Sequence, residues 1–139
     1  MGESYVLFRG NDMKPNLLNS TCPHLGANLA IEGKVVGNSI ECPFHGWRFS
    51  GEGKCESIPY SKSVPEFVFI PKLKLLERNG FIFAQINSDN EELNWEPPII
   101  NELNDNFGWK IDGTTNHEIT CHCQEIPEVK IKKNLFYKL

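Results

Sequence analysis

The chain has 139 residues, 40% of them hydrophobic, enough for one packed domain and part of a second. A formal net charge of -4 argues against a nucleic-acid binder, which carries a basic patch. The sequence holds no run of about 18 apolar residues, so no membrane-spanning helix is expected.

The N-terminus lacks a basic segment followed by an apolar one, so no signal peptide is expected. Val6 stands where a myristoylation signal needs Ser or Thr. Tyr5 to Arg9 and Asn16 to Ser20 are short, rich in strand formers, and separated by the turn residues of Gly10 to Pro15, which predicts a hairpin. Cys22 to Ala30 reads as a loop. Lys34 to Val36 and Ser39 to Cys42 flank Gly37-Asn38, a two-residue hairpin turn. Cys42 to Gly46 is a second loop. Trp47 to Ser50 and Lys54 to Ile58 flank Gly51-Glu52-Gly53 and predict another hairpin.

Pro59, Pro65 and Pro71 interrupt the next stretch, so residues 61–71 are expected to be irregular. Leu73 to Glu77 and Phe81 to Ile86 are joined through Asn79-Gly80, the strongest turn signal in the chain. Phe67, Phe69, Phe81 and Phe83 alternate with other residues and are expected in the core. Many short strands without a long amphipathic helix predict an all-β domain over residues 1–88. Residues 89–106 are polar and proline-bearing and read as a linker. Residues 107–139 hold two further strand-like stretches, Phe107 to Asp112 and His117 to Cys123, and a basic end with Lys130, Lys132, Lys133 and Lys138.

The chemistry lies in two short pieces, Cys22-Pro23-His24 and Cys42-Pro43-Phe44-His45, seventeen residues apart. Each supplies one thiolate and one imidazole, and Gly26 and Gly46 follow where tight turns are needed. A Rieske [2Fe–2S] cluster uses this mixed set: two thiolates hold one iron and two imidazoles the other. Neutral imidazoles add no negative charge, which lifts the potential to roughly -150 to +300 mV, against about -400 mV for four-cysteine plant-type clusters. Zinc also accepts two Cys and two His, but zinc fingers usually pair like with like.

The other cysteines carry less. Cys121 and Cys123 would share one face of a strand and His122 the other, which favours ordinary packing over a metal site with His117. Cys55 reads as a buried free thiol. The count of five is odd, which fits metal-bound cysteines in a reducing, intracellular compartment better than a secreted disulfide framework. Trp47 and Phe49 are expected to pack beneath the second loop, with Trp47 keeping water from the cluster. Pro23 and Pro43 stiffen the loops by fixing φ. Leu25 and Phe44 are expected at the cluster edge, and His24 and His45 partly exposed for electron entry and exit.

Cys22 to Ala27 and Cys42 to Trp47 resemble the cluster loops of Rieske oxygenases. The longer words CPHLGANLAIEGKVVGNSIECPFHGW and GKCESIPY, with HCQEIPE near the end, are similar to the cholesterol 7-desaturases of the Neverland type. The resemblance covers most of residues 2–128. It implies a small Rieske-type β-sandwich or barrel with two cluster-binding hairpin loops. It implies one [2Fe–2S] cluster, with Cys22 and Cys42 on the inner iron and His24 and His45 on the outer. An NAD(P)H-dependent reductase would donate the electrons, and a homotrimer would bring the cluster to a mononuclear Fe(II) on a neighbouring subunit. Respiratory Rieske proteins carry an extra disulfide and a Ser near the second His. Here those places hold Ala27, Phe44 and Trp47, so no such disulfide forms, and a potential at the low end of the Rieske range is expected.

The resemblance stops after Glu128. The family continues into an Asp and a pair of His that hold the mononuclear iron, but residues 129–139 contain neither residue type. Residues 107–139 are therefore read as the incomplete start of a catalytic domain with a divergent basic tail. No catalytic residue is assigned, and activity by this chain alone is not expected. Family members also carry a membrane anchor upstream, with no counterpart before Glu3. A stand-alone Rieske ferredoxin-like carrier and a non-functional fragment are the alternatives. The substrate would be bound outside these residues.

Overall fold

The computed structural model describes residues 2–85, 96–103, 107, 109, 113, 118 and 120. The chain divides into two compact units, Met1–Asn101 and Glu102–Leu139. Eight short strands and one turn of 3-10 helix (Asn101–Leu103) make up the regular structure, with no α-helix among the described residues.

Strands β1 (Tyr5–Arg9) and β2 (Pro15–Asn19) form an antiparallel hairpin. In β1 the alternation is clean: Val6 and Phe8 point inward while Leu7 is exposed. Val6 lies opposite Leu18, which is fully buried. β2 starts one residue earlier than expected, because Pro15 pairs with Arg9 at the hairpin end. Proline donates no amide hydrogen, so it suits the first position of a strand.

Four strands then build the central antiparallel sheet in chain order: β3 (Lys34–Val36), β4 (Ser39–Glu41), β5 (Arg48–Ser50) and β6 (Cys55–Ser57). Ile40 on β4 faces Phe49 on β5, and Phe49 pairs in turn with Cys55 on β6 across a register shift. Phe49 is the largest completely buried side chain of the domain. β7 (Leu75–Arg78) and β8 (Phe81–Ala84) form a third, two-stranded sheet closed by the Asn79-Gly80 turn.

Backbone hydrogen bonds tie the sheets together. The Asn19 N–H donates to Pro71 O at 2.9 Å and the Leu73 N–H to Leu17 O at 3.0 Å, which lashes β2 to the approach of β7. Arg9 on β1 forks onto the Glu77 carboxylate of β7, with contacts of 2.6 and 3.0 Å. Beyond β8, residues 96–100 fold back on the β7–β8 turn: Arg78 donates to the Pro97 carbonyl, and Asn79 donates to Pro98 O at 2.8 Å.

One contiguous core results, containing Val6, Phe8, Leu18, Leu29, Ile40, Phe49 and Ile70 together with Cys22, Ala27 and Cys42. The all-β expectation holds. The expectation for the phenylalanines does not: Phe67, Phe69, Phe81 and Phe83 are 81%, 61%, 53% and 37% exposed. In Phe67-Val68-Phe69-Ile70 both alternate phases are apolar. Backbone pairing selects the other phase: the Cys55 N–H donates to Val68 O, and the Ile70 N–H to Gly53 O, which turns Ile70 and Val68 toward the core. Phe81 and Phe83 pack on each other, ring centres 6.3 Å apart. The strands expected at 107–112 and 117–123 fall almost wholly outside the described residues, as do residues 121–139 with Cys121, His122, Cys123 and the basic end.

Candidate metal centre

Two turns of the same construction carry the four predicted ligands. In the first, the Cys22 N–H donates to Ala27 O at 2.8 Å and the Gly26 N–H to Cys22 O at 2.9 Å. In the second, the Cys42 N–H donates to Trp47 O at 2.8 Å and the Gly46 N–H to Cys42 O at 3.1 Å. Each turn must pass through a left-handed residue to close, and Gly26 (φ 75°) and Gly46 (φ 70°) supply it without a Cβ penalty. The second turn joins β4 to β5, so the central sheet fixes its base. The first is closed by a bridge between Thr21 and Asn28 and by the Leu29 N–H on Ser20 O.

Within this shared frame the cysteines correspond, but the histidines are offset by one. His24 matches Phe44 in position, and Leu25 matches His45. The turns bring the histidines together, with ring centres 4.7 Å apart and planes at 77°. Their exposures differ: His24 is half-buried and His45 exposed. Leu25 and Phe44 project into solvent beside them.

The cysteines form the inner pair. Cys22 and Cys42 are both buried, both free, and members of the same core cluster. Burial pushes the Cys22 thiol up to about 11, and the neighbouring Cys42 adds to this. The backbone N–H groups of His24 and Leu25 point at the Cys22 sulfur and work the other way. Such donors are what a metal-bound thiolate and its neighbouring sulfides accept from a protein.

The residues present fit an iron–sulfur cluster. His24 Nδ1 is buried with no hydrogen-bond partner, a cost that a metal bond would remove. Among the described residues, no three His, Cys, Asp or Glu side chains converge to hold a single metal ion. The donors come instead as a thiol pair and an imidazole pair, the set that a two-iron cluster divides between its irons.

The first 68 residues match the family model described as the Rieske [2Fe-2S] domain. The chain is 44% identical over 129 residues to a cholesterol 7-desaturase of Xenopus laevis, covering 92% of this chain and 28% of that protein. A cholesterol 7-desaturase of Caenorhabditis elegans is also 44% identical, over 131 residues, with 92% and 30% covered. The chain belongs to the Rieske oxygenase family.

Bacterial members agree. The oxygenase component of a probable 3-ketosteroid-9-alpha-monooxygenase from Rhodococcus rhodochrous is 46% identical over 83 residues, 60% of this chain and 21% of that one. Among solved structures, Pseudomonas putida CBB5 NdmA with caffeine superposes with a TM-score of 0.62 at 27% identity, covering 76% of this chain and 30% of that one. Apo dicamba monooxygenase gives 0.57 at 28% identity, with 60% and 26% covered. The chain spans less than a third of the curated relatives it matches. No helix among the described residues is long and apolar enough to cross a membrane.

The sequence did not point to Tyr60 as a neighbour of the candidate site. The Trp47 Nε1–H donates to the Tyr60 hydroxyl at 2.6 Å, across thirteen residues of chain. Trp47 itself lies flat on His24, ring centres 4.5 Å apart and planes 9° from parallel. Tyr60 closes the word GKCESIPY, which was the available signal, but no spacing rule connects it to a ligand. Cys55 is only partly buried; it packs on the core and directs its thiol to Ser57 O at 3.8 Å.

Proposed function

We propose that Cys22 and Cys42 bind one iron and His24 and His45 the other iron of a [2Fe–2S] cluster. In this reading the domain is the electron-transfer module of a sterol-directed oxygenase resembling the cholesterol 7-desaturases. Bound there, the cluster supplies one-electron chemistry at a potential raised by its two neutral imidazoles. An NAD(P)H-dependent reductase is the donor, and a mononuclear iron in the remainder of the whole protein is the acceptor.

The observation that carries the reading is the pairing of donors: two buried thiols in one core cluster, and two imidazoles edge to face with one nitrogen left unsatisfied. The chain's own residues would do three things. The paired turns hold the donors in place before loading. The buried core behind Cys22 and Cys42 keeps water from the inner iron. The exposed edge of His45 leaves a short path for an electron to and from a docked partner.

The test is anaerobic loading of the 139-residue chain with iron and sulfide, followed by optical and EPR spectroscopy of the reduced protein. A Rieske g-pattern is expected, lost in Cys42→Ser and His45→Ala. Colourless protein, or protein that binds zinc in its place, overturns the assignment.

A further inference from the structure

The two histidines of the cluster site are not equivalent, and the difference traces to the residue that closes each turn. Ala27 closes the first and Trp47 the second. The indole reaches across to the other loop and covers the face of His24, while His45 meets only the edge of Phe44, ring centres 6.2 Å apart. The indole is held at both ends. It packs against the core beside Phe49, with ring centres 6.5 Å apart. Its Nε1–H is tied to Tyr60, which also flanks His24 at 6.4 Å. Pro59, just before Tyr60, lies against Gly46 of the same turn.

We propose that Trp47, anchored by the Tyr60 hydroxyl, is the positioning residue for His24 and holds the cluster's potential down by keeping water off that ligand. This rests on the ligand assignment made above. With two thiolates and two neutral imidazoles, reduction adds one negative charge to the site. Water beside the imidazole stabilises that charge, and the Trp47 ring excludes water from one face. The indole face also carries the negative side of its quadrupole, which opposes added electron density on the ring beneath. Both effects act in the same direction, and both need the ring parallel to His24. Tyr60 is the group that keeps it so, since a half-buried indole with a free N–H would turn toward solvent to satisfy it.

The test is the midpoint potential of the loaded 139-residue chain by film voltammetry, with EPR of the reduced state alongside. Trp47→Leu should shift the one-electron reduction equilibrium about tenfold toward the reduced form, about 59 mV upward. Tyr60→Phe should move it two- to threefold in the same direction, and Trp47→Phe should fall between. The double variant Trp47→Phe with Tyr60→Phe should match Trp47→Phe alone, because the hydroxyl then has no indole to hold. A purely structural role for Tyr60 predicts no shift in any exposed-hydroxyl variant. An unchanged or lowered potential in Trp47→Leu, or additive shifts in the double variant, overturns the proposal. Should Trp47→Leu fail to hold the cluster, Tyr60→Phe and the double variant decide alone, since Tyr60 is 64% exposed and outside the core. Failure of the ligand assignment reads differently: the unaltered chain would then lack the Rieske EPR signal.

Discussion

Thiol reactivity of the metal-free chain gives a quantitative check on the inner half of the site. The thiolate, not the thiol, is the nucleophile. An ordinary thiol at the reference value of 9.0 is about 10% ionised at pH 8, whereas Cys22, pushed up to about 11, is about 0.1% ionised. Ionisation alone therefore slows alkylation of Cys22 about 100-fold at pH 8, and its 1% exposure slows it further. The assay is iodoacetamide labelling of the metal-free chain from pH 7 to 11, read by peptide mass spectrometry against the same chain unfolded in guanidinium. The Cys22 rate should climb about tenfold per pH step and flatten only near pH 11. The sign carries over to stability. The folded state holds the Cys22 proton more tightly than the unfolded chain, so this stabilisation is complete below pH 9. It is lost as pH rises toward 11, by about 3 kcal/mol in all. Cys22→Ser should lack that slope. Labelling of Cys22 at pH 8 within threefold of the unfolded control would refute the reasoning.

The two loop glycines should respond unequally to alanine. Gly26→Ala meets open space and should cost only the left-handed backbone penalty, about 1–2 kcal/mol by denaturant titration, while Gly46→Ala presses its Cβ to 3.0 Å from the rigid Pro59 ring and should cost more. The reverse order would contradict the turn geometry. Phe49→Ala should remove about 3–5 kcal/mol, enough to threaten folding of so small a domain, and a melting temperature within a few degrees of the parent would be inconsistent with its burial. Phe67→Ser, at a side chain mostly in solvent, should change stability by no more than about 0.5 kcal/mol, checked by the same titration.

The parts of this fold legible in the sequence are those with local chemistry. Gly37-Asn38 and Asn79-Gly80 name their turns, and β3 falls on its expected residues, with β1 matched at both ends. Most other strand ends moved by one or two residues, because ladder pairing, not propensity, decides where a strand stops. β4 ends at Glu41 and β5 starts at Arg48 because residues 42–47 are given over to the second loop and its closing hydrogen bonds. The pairing of the two loops was readable because each Cys and His sits two or three residues from its partner. The stretch around Phe67 was not, since a run apolar on both faces says nothing about which face is inside. Tyr60 was invisible for a related reason: its role depends on where two loops meet in space.

Core and metal centre are one structure in this domain. Cys22 and Cys42 pack in the same cluster as Leu18, Leu29, Ile40, Phe49 and Ile70, so the sulfurs are positioned by side chains from the first hairpin, the central sheet and the loops beside them. The loops above them are each closed by two backbone hydrogen bonds and one left-handed glycine, which would fix the proposed ligands before metal arrives. Preorganisation has a thermodynamic corollary. Holding the Cys22 thiol protonated and dry leaves the metal-free state short of the charge-assisted bonds that the His24 and Leu25 amides can make. Under the proposed ligand assignment, loading would remove that proton and satisfy the amides and the orphaned His24 nitrogen together. Binding and folding would then be coupled through the same few atoms. Melting temperature should rise on loading and fall back on chelation, and Cys22→Ser should weaken that rise because it removes a thiolate common to the core and the site.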